Sequence, residues 1–246
     1  MISPTRANVC VVGCGRTGST LLFSLLEQVP HVLVTKPKEF LNVRGTEPDR
    51  YSSTQCAALA EFATCNPGMA VFTHLKLHSP ALQIDRRATT IEDMLARVET
   101  AGFAKFVHIR RRNALRIWLS IVRGWLGEPR VLFNRGQLSE EELRFLSHVD
   151  PAQCVAFIDQ LERATAEIDR QLSSRRHVDI VYEEHLAGDP RLALAQLATI
   201  ECLEVPADLA IAYKVTNPWP VRESIENVDE IQAALDVTKH AWMLEE

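Results

Sequence analysis

The chain has 246 residues, 46% hydrophobic and 24% charged, enough for one domain with a sizeable buried core. Its formal net charge of -5 argues against broad binding to nucleic acid or an anionic membrane, yet leaves room for local basic clusters that hold small anions. No apolar run approaches the roughly 20 residues of a membrane span, and "MISPTRANVCVV" lacks the apolar core of a signal peptide.

Asn8 to Val12 ("NVCVV") is a continuous apolar run, as expected of a strand buried on both faces. The glycine-rich "GCGRTGST" follows it, and Thr20 to Val29 then reads as a helix. Val32 to Thr35 is a short second strand. Ala70 to Leu77 ("AVFTHLKL") and Lys105 to Ile109 ("KFVHI") are further strands, separated by a helix over Ile91 to Thr100. Asn113 to Trp125 is another helix, whose Leu115, Leu119, Val122 and Leu126 recur on one core-facing stripe. "SEEE" from Ser139 is a capping box that opens a long helical stretch, broken at Asp150-Pro151 and ending near Ser174. Val178 to Tyr182 is a late strand and Pro190 to Leu203 a helix. Strands alternating with helices predict an α/β fold with a parallel sheet and a ligand site at the strands' C-terminal edge. No repeat or linker divides the chain, so a single domain over 1–246 is expected. Cys10, Cys14, Cys56, Cys65, Cys154 and Cys202 form no C-x-x-C pair, which predicts mostly buried free thiols in a reducing cytoplasm, not a metal site.

The loop after the first strand fits two incompatible motifs. Gly13, Gly15 and Gly18 spell the G-x-G-x-x-G of a dinucleotide fold, whereas Gly13 and Gly18 followed by Ser19 and Thr20 spell a P-loop with serine in the lysine position. The dinucleotide reading needs an acid at the end of the second strand to hold the ribose hydroxyls. Thr35 and Lys36 stand there, which leaves at most an NADP-linked oxidoreductase. A kinase or NTPase needs the lysine and a strand-end aspartate for Mg²⁺, and "VDIVYEEH" offers only Glu183. A third reading keeps the phosphate cradle and drops the triphosphate. Backbone N–H groups of Gly15 to Thr20 form an anion site at a helix N-terminus, and Arg16 supplies a cation.

At this point the sequence resembles a known family. "GRTGSTLL" is similar to the 5′-phosphosulfate loop of sulfotransferases that use 3′-phosphoadenosine 5′-phosphosulfate (PAPS). "KFVHIRRRNALRIWLS" resembles their 3′-phosphate element, a strand, an arginine and a serine eight positions on, the spacing of Arg112 and Ser120. Arg116 lies between these two on the same helix face, so a phosphate there would meet guanidinium and hydroxyl donors. Arg110, Arg111 and Arg123 read as a solvated basic helix start. "TKPKEFLN", "AVFTHLKLH", "VYEEHLAGDP" and "NPWPVRESIENVDEIQAAL" resemble segments of bacterial carbohydrate sulfotransferases of the trehalose-modifying type, whereas Gly124 to Gln137 matches no such segment.

The resemblance implies a three-layer, P-loop-like sulfotransferase fold with PAPS as cosubstrate, 3′,5′-bisphosphate (PAP) as product and no metal. The acceptor would be a hydroxyl of a carbohydrate, glycolipid or small metabolite, with no nucleic acid as partner and room for a homodimer. Gly15, Arg16, Thr17, Gly18, Ser19 and Thr20 would hold the 5′-phosphosulfate, Arg16 also as the catalytic cation, and Arg112 and Ser120 the 3′-phosphate. Glu39 in "PKEFLN" would take the acceptor's proton. His74 competes for that role, since "THL" also resembles the base segment of cytosolic aryl and steroid sulfotransferases. His78 is a third candidate, Lys76 could contact donor or acceptor, and His108 is expected to pack within its strand. Trp118 and Trp125 could line an acceptor cleft or belong to the core. A catalytically idle nucleotide-binding protein stays open beside the enzyme readings.

Overall fold

The computed structural model describes residues 7–35, 41–42, 53–77, 90–125, 147–211 and 219–245. They fall into two compact units, one drawn from 1–110 and 163–211, the other from 111–162 and 212–246.

The first unit holds a parallel sheet of six strands: β1 (Val9–Cys14), β2 (Val32–Val34), β3 (Leu41–Asn42), β4 (Ala70–Leu77), β5 (Lys105–Arg110) and β6 (Arg176–Val181). The order is β2-β4-β1-β5-β6, and β3 pairs further along the edge of β4 that β2 also uses. β1 is buried at all six positions because it lies at the centre and sends alternate side chains into two cores. Val9 and Val11 join Phe72, Val107, Ile109 and Ile180 in a cluster with the helices α1 (Ser19–Leu26) and, further on, Arg191–Leu197. Cys10 and Val12 join Val71, Leu75 and Phe106 on the other face, against α3 (Ile91–Thr100) and Ile168 and Leu172 of α5 (Pro151–Leu172). The expected three-layer, P-loop-like α/β fold is therefore present. The strand order reverses direction at β1, so the switch point of the sheet lies at the C-terminal end of that strand.

The second unit contains α4 (Ala114–Trp125), residues 151–162 of α5, α8 (Val228–Asp236) and two 3-10 turns, Arg222–Ser224 and Ala241–Leu244. Trp118 meets Phe157 with ring centroids 4.9 Å apart, so Trp118 is core. Asp150 accepts from the Gln153 amide at 2.9 Å, with Pro151 in the first helical position, which explains the break before α5.

Most predicted elements recur with shifted ends. α7 (Arg191–Leu197) stops short of Leu203, because the chain tightens into three-residue spacing, with Thr199 N–H donating to Gln196 and Ile200 N–H to Leu197. Tyr182 belongs to a short helical turn, α6 (Tyr182–His185), not to β6. β3, α2 (Ser53–Thr64), α6 and α8 lie outside the predicted set. Leu126, the box at Ser139 and the 124–137 segment beyond Trp125 lie outside the described residues. All six cysteines are free thiols; Cys10, Cys14 and Cys154 are buried, Cys56 half-buried, and Cys65 and Cys202 exposed. No helix among the described residues is long and apolar enough to cross a membrane.

Candidate functional site

The loop at the switch point is shaped by what glycine permits. Gly13 pairs with Lys76 of β4 on one side and Ile109 of β5 on the other. A Cβ on Gly13 would stand 2.3 Å from the Ile109 carbonyl oxygen, so only glycine lets β5 this close. Two of the next residues take left-handed backbone, Arg16 at φ 69 and Gly18 at φ 95. Between them Thr17, 2% exposed, donates its hydroxyl to the Cys14 carbonyl at 2.9 Å and closes the loop on itself. A Cβ on Gly18 would meet Tyr182 Cδ2 at 2.6 Å and Leu186 Cδ1 at 3.1 Å. The aromatic ring of α6 is thus the floor beneath the loop.

α1 starts at once, with the Leu22 amide donating to the Gly18 carbonyl at 3.1 Å. Gly18 offers no capping side chain and the first turn carries no acid, so the positive end of the helix keeps its amides for a ligand. Ser19 is buried, Arg16 half-buried and Thr20 exposed. This arrangement suits an anion with several oxygens. The Cys14 thiol beneath it is pushed up to about 12 by burial, which keeps it protonated and unreactive.

On β4, His74 is 1% exposed, opposite Val11, with its ring 5.5 Å from that of Phe23. It sits within the core layer under α1. Lys76 follows two positions on, half-buried, with its Cε 3.4 Å from where a Cβ on Gly15 would be. Glu39 and His78 lie outside the described residues.

A polar cluster occupies the opposite face of the sheet. His108 of β5 donates from Nδ1 to Asp169 at 2.8 Å, and Arg110 spans Asp169 at 3.4 Å and Asp179 at 3.0 Å. Burial pulls the His108 imidazole below its ordinary value, against the opposing pull of Asp169. His108, Asp169 and Asp179 place ligand atoms within 4.8 Å of one another. The Arg110 guanidinium already balances both carboxylates there, so the set is read as an ion-pair network that fixes the end of β5, not as a metal site.

The second unit presents the other predicted element. Arg112 is exposed, two residues before α4, while Arg116 and Ser120 are half-buried one and two turns along it. Leu115, Ile117, Trp118 and Leu119 are buried. Asn113, fully buried, accepts from the Arg116 amide at 3.1 Å and donates to the Met243 carbonyl at 2.8 Å. Arg116 itself donates to the Trp219 carbonyl at 3.3 Å. Asn113 and Tyr182 escaped sequence reasoning as site-forming residues. The only available signal for Tyr182 was its place in the family-like "VYEEH", and an asparagine before a helix signals a cap but not its second partner.

No protein-family model matches the chain, and no curated protein matches it by sequence. Among solved structures it is similar to a thymidylate kinase from Candida albicans, with 13% identity over 80% of this chain and 91% of that one, at a TM-score of 0.36. A likeness this distant says nothing of the reaction.

Proposed function

We propose that the chain is a PAPS-dependent sulfotransferase acting on a hydroxyl of a carbohydrate, glycolipid or small metabolite. The supporting observation is the loop itself: left-handed Arg16 and Gly18, a helix end with uncapped amides, and serine where a triphosphate-binding loop needs lysine. That is a cradle for one phosphate carrying a good leaving bond. The acceptor oxygen attacks sulfur and forms a new S–O bond, while the S–O bond to the 5′-phosphate breaks with its electron pair going to the phosphate oxygen. The acceptor's proton passes to a base, for which Glu39 is the candidate and His74 the rival. The moving SO₃ group carries a single negative charge, so in-line positioning and a cation on the departing oxygen suffice without a metal. Arg16 and the loop amides would hold the 5′-phosphate, and Arg112 with Ser120 would read the 3′-phosphate.

The NADP reading finds less support. Thr35, where a dinucleotide fold puts its ribose-binding acid, is buried and shares a hydrogen bond with the Thr73 hydroxyl at 3.2 Å. Thermal shift separates the readings. PAP should raise the melting temperature by mass action on the folded state. Stabilisation by NADPH with none from PAP would overturn the proposal. A panel of hydroxylated acceptors with labelled donor tells enzyme from idle binder, since only the enzyme releases PAP.

A further inference from the structure

Ser19 leaves the loop without the lysine that a P-loop carries on its helix, and the neighbouring strand offers one. β4 runs parallel to β1 with Lys76 in register with Gly13, so its side chain leaves the sheet where the loop begins. Alternation along β4 puts it on the face of Phe72 and His74, the face that α1 covers. Its Cε lies 3.4 Å from the position of a Cβ on Gly15, so the stem crosses the bare backbone of that glycine and the ammonium extends one bond further. Gly15 is buried and Lys76 half-buried, which suits an aliphatic stem packed on the loop beneath a charged tip.

We propose that Lys76 supplies a cation to this anion site from the adjacent strand, taking over the charge that Ser19 cannot give. The inference deepens the sulfotransfer reading and rests on it for its chemistry. As the S–O bond to the 5′-phosphate breaks, the electron pair arrives on a phosphate oxygen at the loop, and the Lys76 ammonium neutralises it. Arg16 remains the loop's own cation, and Lys76 is a second catalytic one from outside the motif.

The test titrates wild type, Lys76→Met and Lys76→Arg by calorimetry with inorganic pyrophosphate and, separately, with PAP. Pyrophosphate affinity should fall about 10- to 150-fold in the methionine variant, the usual worth of a charged hydrogen-bond partner, and return to within a few-fold in the arginine one. Methionine binding pyrophosphate as tightly as wild type would overturn the proposal, as would wild type that binds no pyrophosphate. A pyrophosphate effect with no PAP binding by wild type would keep Lys76 as an anion ligand and sink the sulfotransfer reading alone. Should Lys76→Met melt early, Lys76→Gln is judged by the same ratio.

Discussion

The loop after β1 and the start of α4 carry the two motifs that resemble phosphate-binding elements, yet they are built on different principles. The loop owes its shape to exclusion: Gly13 exists for Ile109 and Gly18 for Tyr182, and a hydroxyl from Thr17 ties the turn shut. The helix start is held by polar hooks, with Asn113 bound to Met243 and Arg116 to Trp219, while Arg112 is exposed. At Gly13 and Gly18 the first leaves no room for a side chain. The second depends on hydrogen bonds to carbonyls from later in the chain.

The largest effect should come from adding one methyl group to the loop. Gly18→Ala forces a side chain into left-handed backbone and against the Tyr182 ring, a cost of about 2–6 kcal/mol from strain and overpacking together. Urea denaturation should register that loss, and PAP should no longer shift the melting temperature. A variant of wild-type stability that still binds PAP would break the idea that exclusion shapes the loop.

The next effect is on turnover. Glu39→Gln keeps the side chain's size and removes its basicity, so turnover should fall about 10²–10⁴-fold with donor affinity within a few-fold of wild type. The acid limb of the pH–rate profile should vanish with it. His74→Ala, a truncation beside Phe23, should cost stability more than rate. The reverse pattern, inactive His74→Ala with Glu39→Gln near wild type, would move the base into the core strand.

Smaller again is the effect of the exposed arginine. Arg112→Ala should weaken PAPS binding about 10- to 150-fold while leaving adenosine 5′-phosphosulfate, which lacks the 3′-phosphate, nearly unchanged. Equal weakening of both nucleotides would show that charge at the helix start does not read that phosphate.

The smallest effect is a pH slope. The buried His108 imidazole is held below its ordinary value of 6.5, so the unfolded chain binds a proton more readily than the folded one. Its contribution to stability is therefore present above about pH 6.5 and lost as the pH falls further. Asp169→Asn removes the group that opposes the shift and should steepen the loss in melting temperature below pH 6.5. A flat profile in both proteins would mean that His108 does not sense the change.

Most of the framework was legible because it follows local rules. The unbroken apolar run at β1 and the i, i+4 pair of Leu115 and Leu119 each announce their element and are buried as their spacing requires, while Val122 of the same stripe is half-buried. β3 has two residues, too few to form any pattern, and Ser53–Thr64 carries a weak apolar stripe that does not stand out from a loop. Within the site, the cradle was readable because its glycines are close in sequence. Its floor was not, since Tyr182 reaches Gly18 from far along the chain and only tertiary packing joins them. The same holds for Asn113 and Met243, and for His108 with Asp169, where each partner alone is an unremarkable polar residue.

The way β2 and β3 share one flank of β4 bears on how copies of the chain could meet. A long outer strand offers a row of unmatched amides and carbonyls on which a foreign strand can zip. Among the described residues that flank is contributed in two instalments, three residues at Val32–Val34 and two at Leu41–Asn42, each shorter than a stable ladder needs. Among the described residues, then, an incoming strand would find no continuous ladder to extend along this flank.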